Sequence, residues 1–220
     1  MELIKKMADE LGDNHIGTNT DTPLRADAFH LDDTQKKELI EKHFREIMII
    51  LGLDLNDDSL QGTPRRVAKM YVDEIFKGLN PLNKPDTKLF ENKYNYGQML
   101  VEKNITFYSN CEHHFVPIWG VAHVAYIANG HVIGLSKINR IVQYIAARPQ
   151  VQERMTLQIL KELKQALQTE DVAVVIDAHH HCVSSRGIRD IQSSTTTSEF
   201  SGKFKDDDKC RTEFFTYIAK

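Results

Sequence analysis

The chain is predicted to adopt an α+β fold: a helical N-terminal region over residues 1–95, then a unit over residues 96–220 in which an antiparallel four-stranded sheet carries a helix pair on one face. Three observations lead there. Up to residue 78 the apolar residues recur at helical spacing. From about residue 99 the period changes, and β-branched and aromatic residues crowd into Met99–Phe107 and Val121–Ala128. Two amphipathic segments then follow in succession before the strand period returns.

A short helix near Glu2–Leu11 is expected, followed by a polar run, and the first 24 or so residues read as mobile. Residues 33–51 form a helix capped by Asp33 or Thr34, with Ile40, Phe44, Ile47, Met48 and Leu51 on one face and Gly52 ending it. A second helix starts at Thr63-Pro64, turns Val67, Met70, Tyr71 and Ile75 inward, and stops at Gly78. Residues 79–98 read as loop. Asn129-Gly130 predicts a hairpin joining Val121–Ala128 to His131–Gly134. Ser136 is expected to cap a helix burying Ile138, Ile141, Val142 and Ile145. Pro149 breaks it and starts another that buries Met155, Ile159, Leu160, Leu163 and Leu167. Val172–Asp177, Cys182–Ser185 and Ser193–Phe200 read as strands, and Asp206-Asp-Asp208 caps a last helix with Phe214, Phe215 and Ile218 inward.

A formal net charge of -3 leaves no electrostatic footprint for nucleic acid, so an anionic ligand needs a local basic cluster. No apolar run approaches the roughly 18 residues of a membrane span, and the N-terminus lacks a signal peptide's apolar core. Three cysteines, two of them beside histidines, make no disulfide framework and point to a reducing, cytoplasmic setting. Cys210 reads as a small, half-buried thiol.

The chemistry concentrates in two blocks. Cys111-Glu-His-His114 and His179-His-His-Cys182 hold two of the three cysteines and five of the ten histidines. Thiolate and imidazole at this spacing suit zinc. Three ligands and an open position make a hydrolytic centre, whereas a closed set would only staple two loops. The histidines left over beside the ligands suit proton transfer near neutral pH. Ser136-Lys137-x-x-Arg140 opens a helix, where free N–H groups and the dipole favour phosphate. Arg186 adds charge shortly after Cys182. Gln152-Glu153 reads either as a first-turn acid complementing a helix dipole or as a carboxylate that accepts from guanine.

Four stretches appear in one order: Cys111-Glu-His-His-Phe-Val-Pro117, Val132-Ile-Gly-Leu-Ser-Lys-Ile-Asn-Arg-Ile141, Arg148-Pro-Gln-Val-Gln-Glu-Arg154 and Cys182-x-x-x-Arg-Gly-Ile-Arg-Asp190. With Asp57-Asp-Ser-Leu-Gln-Gly-Thr-Pro-Arg-Arg66 and Lys69-Met-Tyr-Val-Asp-Glu-Ile-Phe76, the chain resembles GTP cyclohydrolase I over roughly residues 22–220. The resemblance implies a tunnelling fold that assembles into ring-shaped β-barrels, two five-membered rings forming a homodecamer with active sites between subunits. It implies conversion of GTP and water to formate and 7,8-dihydroneopterin triphosphate, the step that opens folate and pterin biosynthesis. Carried over by residue, Cys111, His114 and Cys182 match the zinc ligands, and His113, His180 and Ser136 the catalytic groups. Lys137, Arg140 and Arg186 match triphosphate binders, and Gln152 and Glu153 guanine readers. Arg66 and Lys69 are expected to reach the triphosphate from a neighbouring subunit. His179 and His181 depart from the family's usual pattern and stand as spare ligands or tuners.

Rival readings are a zinc nucleoside deaminase, whose His-x-Glu and Pro-Cys-x-x-Cys signature is missing here; a related tunnelling-fold enzyme acting on a pterin or deazapurine; and a non-catalytic, zinc-stapled binding module.

Overall fold

The structure, a computed structural model, describes residues 19–219, so the helix expected near Glu2–Leu11 lies outside the described residues. Helix α1 (Asp33–Ile50) is capped one residue earlier than expected. Asp32 accepts from the Gln35 amide, and the Gln35 side chain accepts from the Asp32 amide, a reciprocal capping box. Of its apolar face only Met48 is buried; Ile47, Ile50 and Leu51 stay exposed in the single chain. Helix α2 (Thr63–Lys69) carries Pro64 in its first turn. The chain then widens into a π turn at Met70–Ile75 and tightens into 3-10 turns at Lys77–Leu79 and Pro81–Asn83. Met70, expected inward, is exposed.

Gly78 docks this region on the rest of the molecule. Its N–H donates to the Ala147 carbonyl at 2.9 Å, and its own carbonyl accepts from Arg148 Nε at 2.9 Å. A Cβ there would stand 2.1 Å from the Tyr144 carbonyl oxygen.

Strand β1 (Leu89–Glu91) lies within the stretch read as loop. Strands β2 (Met99–Cys111) and β3 (Pro117–Ile127) form the centre of the sheet. The chain bends at Asn129-Gly130, with Gly130 at φ 74°, but only the glycine takes a positive φ and no hairpin closes there. Both edges of β3 are already occupied, so β4 (His131–Ile133) swings out to pair with β1. Helix α3 (Leu135–Ala146) is capped by Gly134, which places Ser136 inside the first turn rather than at the cap. Strand β5 (Pro149–Gln150) runs parallel to the end of β2, and helix α4 (Gln152–Leu167) follows. Strand β6 (Val172–His180) pairs with β3. The expected strand at Cys182–Ser185 is instead a helical turn, α5 (His181–Ser184). Strand β7 (Thr195–Phe200) completes the sheet, and α6 (Lys203–Asp206) and α7 (Asp208–Ile218) end the described chain.

The sheet order is β5-β2-β3-β6-β7. The four long strands are antiparallel, and the short parallel β5 is added to the expected set. Alternation along β6 feeds two cores. Val172, Val174 and Ile176 face α3 and α4, with Ile138, Ile141, Met155, Ile159 and Leu163. Ala173 and Val175 face Phe204 and Phe214 of α6 and α7. Asp207 caps α7 by accepting from the amides of Lys209 and Cys210; Phe215, expected inward, is exposed. Among the described residues no helix is long and apolar enough to cross a membrane.

Because backbone oxygens crowd Gly78, Gly78→Ala is expected to destabilise the fold by about 1–3 kcal/mol, the usual cost of overpacking. A thermal melt that leaves the midpoint of the variant unchanged would remove Gly78 as the docking point.

Candidate active site

Antiparallel pairing puts the end of β2, the start of β3 and the end of β6 side by side, with Asn110 opposite Pro117 and Ile118 opposite His180. Cys111 closes β2. The next residues fold back in a tight turn: the Phe115 amide donates to the Cys111 carbonyl at 2.8 Å, and the Cys111 amide donates to the Val116 carbonyl at 2.9 Å. Phe115 sits at φ 54°, a left-handed conformation that a phenylalanine adopts only under constraint. Phe76 of the N-terminal region packs against it, ring centroids 5.1 Å apart.

This turn and α5 bring Cys111, His114 and Cys182 together, with one ligand atom from each lying within 4.8 Å of the others. Cys111 is buried, Cys182 half-buried and His114 exposed. Burial and the neighbouring Cys111 sulfur push the Cys182 thiol up, while Arg186 pulls it down. Two thiols in one pocket ionise together readily only with a cation between them, so the donor set fits a metal ion. Arg186 Nη1 donates to His114 Nε2 at 3.0 Å. His113 stands on the same turn, its Nδ1 3.8 Å from Cys111 Sγ and its Nε2 3.8 Å from Glu112.

The other extra histidines divide. His179 stacks on Trp119 with centroids 4.7 Å apart, and its Nδ1 donates to the Ser193 carbonyl at 3.2 Å. Neither His179 nor His181 belongs to the metal-capable cluster. His180 Nε2 lies 2.7 Å from Gln152 Oε1. Burial lowers its pKa, opposed by the charge of Glu153. Gln152 is itself buried, and its carboxamide nitrogen lies within reach of the Thr195 carbonyl, Thr197 Oγ1 and the Ile176 carbonyl. Glu153, the next residue, is exposed on the first turn of α4.

A buried polar chain underlies the turn, and the sequence reading missed it. Arg154 pairs with Glu112 and donates through Nε to Gln150 Oε1 at 3.1 Å; Gln150 in turn donates to the Ile145 carbonyl and to Gln158. Arg154 is only 3% exposed, so its charge is affordable only because Glu112 answers it. The one signal in sequence was a glutamate inside the Cys-Glu-His-His block.

The basic residues do not join this cluster within the single chain. Asn139, between Lys137 and Arg140 on α3, donates to Glu102 at 3.0 Å. Glu102 and Cys111 lie at opposite ends of β2, roughly 25–30 Å apart at strand rise. Ser136, Lys137 and Arg140 therefore sit at the far end of the sheet. Arg66 is exposed on α2 and donates to the Ser59 carbonyl and Thr63 Oγ1; Lys69 is exposed on the same helix. Arg186 alone of the predicted cations reaches the cluster.

The family model described as GTP cyclohydrolase I matches residues 40–219. A GTP cyclohydrolase 1 of Flavobacterium johnsoniae is 63% identical over 210 residues, covering 96% of this chain and 94% of its own. A protein of the same name from Salmonella gallinarum is 53% identical over 218 residues, 99% of this chain and 98% of its own. Among solved structures, the apo form of the archaeosine synthase QueF-Like aligns over 47% of this chain and 93% of its own, with a TM-score of 0.40 and 18% identity.

Cys182→Ala is expected to abolish stoichiometric metal binding, and Cys210→Ala, in the other core, to leave it unchanged. Metal analysis of the dialysed proteins checks both, and a fully loaded Cys182→Ala protein would remove Cys182 from the ligand set.

Proposed function

The chain belongs to the GTP cyclohydrolase I family, and from that premise we propose that it converts GTP and water to formate and 7,8-dihydroneopterin triphosphate. The observation that carries the reading is the convergence of Cys111, His114 and Cys182, with His113 beside Cys111 and His180 ending β6 two residues before Cys182. The family match supports a tunnelling fold for the sheet and its helix pair. Cys111, His114 and Cys182 would hold a zinc ion, which would supply the Lewis acidity that makes water nucleophilic near neutral pH.

The chain's own residues bind, orient and move protons. Loss of C8 as formate breaks two carbon–nitrogen bonds of the imidazole ring, and each departing nitrogen takes up a proton. His180 serves the ring-opening nitrogen; His113 assists at N7 and in the later opening of the ribose, where Ser136 also acts. Glu153 is exposed at the start of α4 and accepts from N1–H and the exocyclic amine of guanine. Lys137, Arg140 and Arg186 bind the triphosphate, reinforced by Arg66 and Lys69.

The separation between the basic residues of α3 and the Cys/His cluster supports a site completed by neighbouring copies, since one nucleotide is too short to bridge the two ends of β2. The exposed apolar face of α1 also supports assembly, because isolated helices rarely leave such a face in water. The proposed assembly is a homodecamer of two stacked five-membered rings, working in the cytoplasm.

Purified chain incubated with GTP is expected to release formate together with a pterin that fluoresces after oxidation. Both signals should vanish with a chelator and return with zinc. Zinc-loaded protein that releases no formate overturns the reading. Glu153→Gln is expected to raise KM for GTP by about tenfold or more while leaving metal content intact, because a charged acceptor facing two donors is lost. An unchanged KM would take guanine recognition away from Glu153.

A further inference from the structure

Gln152 sits beside Glu153 at the start of α4, yet the two side chains face different surroundings. Glu153 is exposed, whereas Gln152 is 2% exposed and its carboxamide is wholly engaged by the protein. Its nitrogen lies 2.8 Å from the Thr195 carbonyl, 3.1 Å from Thr197 Oγ1 and 3.3 Å from the Ile176 carbonyl. Carbonyl oxygens only accept, so the NH2 end must face β6 and β7; the reverse orientation would set oxygen against oxygen.

The hydroxyls agree with this orientation. Thr156 Oγ1 donates to the Gln152 main-chain carbonyl at 2.9 Å. At 2.7 Å from Thr197 Oγ1 it then accepts that hydroxyl's proton, which leaves the Thr197 oxygen to accept from Gln152. Gln152 Oε1 is therefore the end that meets His180, 2.7 Å from Nε2, and an amide oxygen can only accept. His180 Nε2 must carry a hydrogen.

We infer that Gln152 is a positioning residue for His180 rather than a reader of guanine: it pins the Nε2–H form of the ring and leaves Nδ1 as the nitrogen that exchanges a proton with substrate. Strands β6 and β7 hold Gln152, Gln152 holds His180, and guanine recognition at the start of α4 falls to Glu153. The inference rests on the proposed cyclohydrolase reaction for what His180 does, but the contact itself stands apart from that reading.

The first test is nitrogen-15 NMR of the zinc-loaded, histidine-labelled full chain, with the His180 signals identified by their loss in His180→Gln. Nε2 is expected to be the protonated nitrogen of the neutral ring, and a proton on Nδ1 overturns the inference. The second is kinetic. Gln152→Met is expected to lower kcat about 10- to 100-fold, as loss of an orienting partner does. KM for GTP and the preference for GTP over ITP should stay within about threefold of the parent. A raised KM with the GTP preference lost would make Gln152 a guanine reader after all. If Gln152→Met loses metal or fails to fold, the NMR result on the parent chain decides. If the parent releases no formate from GTP, the functional reading falls, while the proton position on His180 still confirms or refutes the contact.

Discussion

The register of β3 against its two neighbours is the constraint on which the site depends. Asn110 faces Pro117 on one side of β3, and His180 faces Ile118 on the other. That alignment ends β2 and β6 at the same level and brings Cys111 and Cys182, far apart in sequence, into one cluster. A slip of one residue would flip every side chain of β6 to the opposite face, taking His180 from Gln152 and exchanging the two cores. Val172, Val174 and Ile176 on one face and Ala173 and Val175 on the other make such a slip costly, because the two faces demand different volumes. The packing far from the ligands is thus what holds the ligands in place.

Much of this was legible in the chain. The helix pair could be read because Ile138, Ile141, Ile145, Met155, Ile159 and Leu163 repeat at helical spacing and are all buried in one core. The metal-capable trio could be read because cysteine and histidine at short spacing have few other uses. What sequence misjudged has physical causes. Asn129-Gly130 bends the chain, but only Gly130 takes the positive φ the hairpin turn needs, and closing a hairpin also requires a free strand edge, which β3 lacks. Ser136 lost the capping position to Gly134 by two residues, a shift that propensity does not resolve. Cys182–Ser185 looked like a strand from composition, yet the chain coils there and carries Cys182 toward Cys111. Burial of Met70 and Phe215 was expected from helical period alone, which cannot say whether a second surface exists to cover the stripe.

The polar interior was least legible. Arg154, Gln150 and Gln158 looked like the polar positions of an amphipathic helix and its lead-in, and instead they form a connected network beneath the Cys111–Phe115 turn. Such networks rigidify what they touch when every member is satisfied. Here they fix Glu112, and with it the backbone between Cys111 and His113.

Phe115 adds a mechanical connection. A phenylalanine held in a left-handed conformation stores on the order of 1–3 kcal/mol and persists only where its surroundings over-determine it. Phe76, at the end of the π turn, is one of those surroundings. Whatever loosens the N-terminal helices also relaxes the Phe115 backbone and slackens the turn that carries Cys111 and His114. The amides of this turn thus share their protection against solvent exchange with a segment some forty residues upstream.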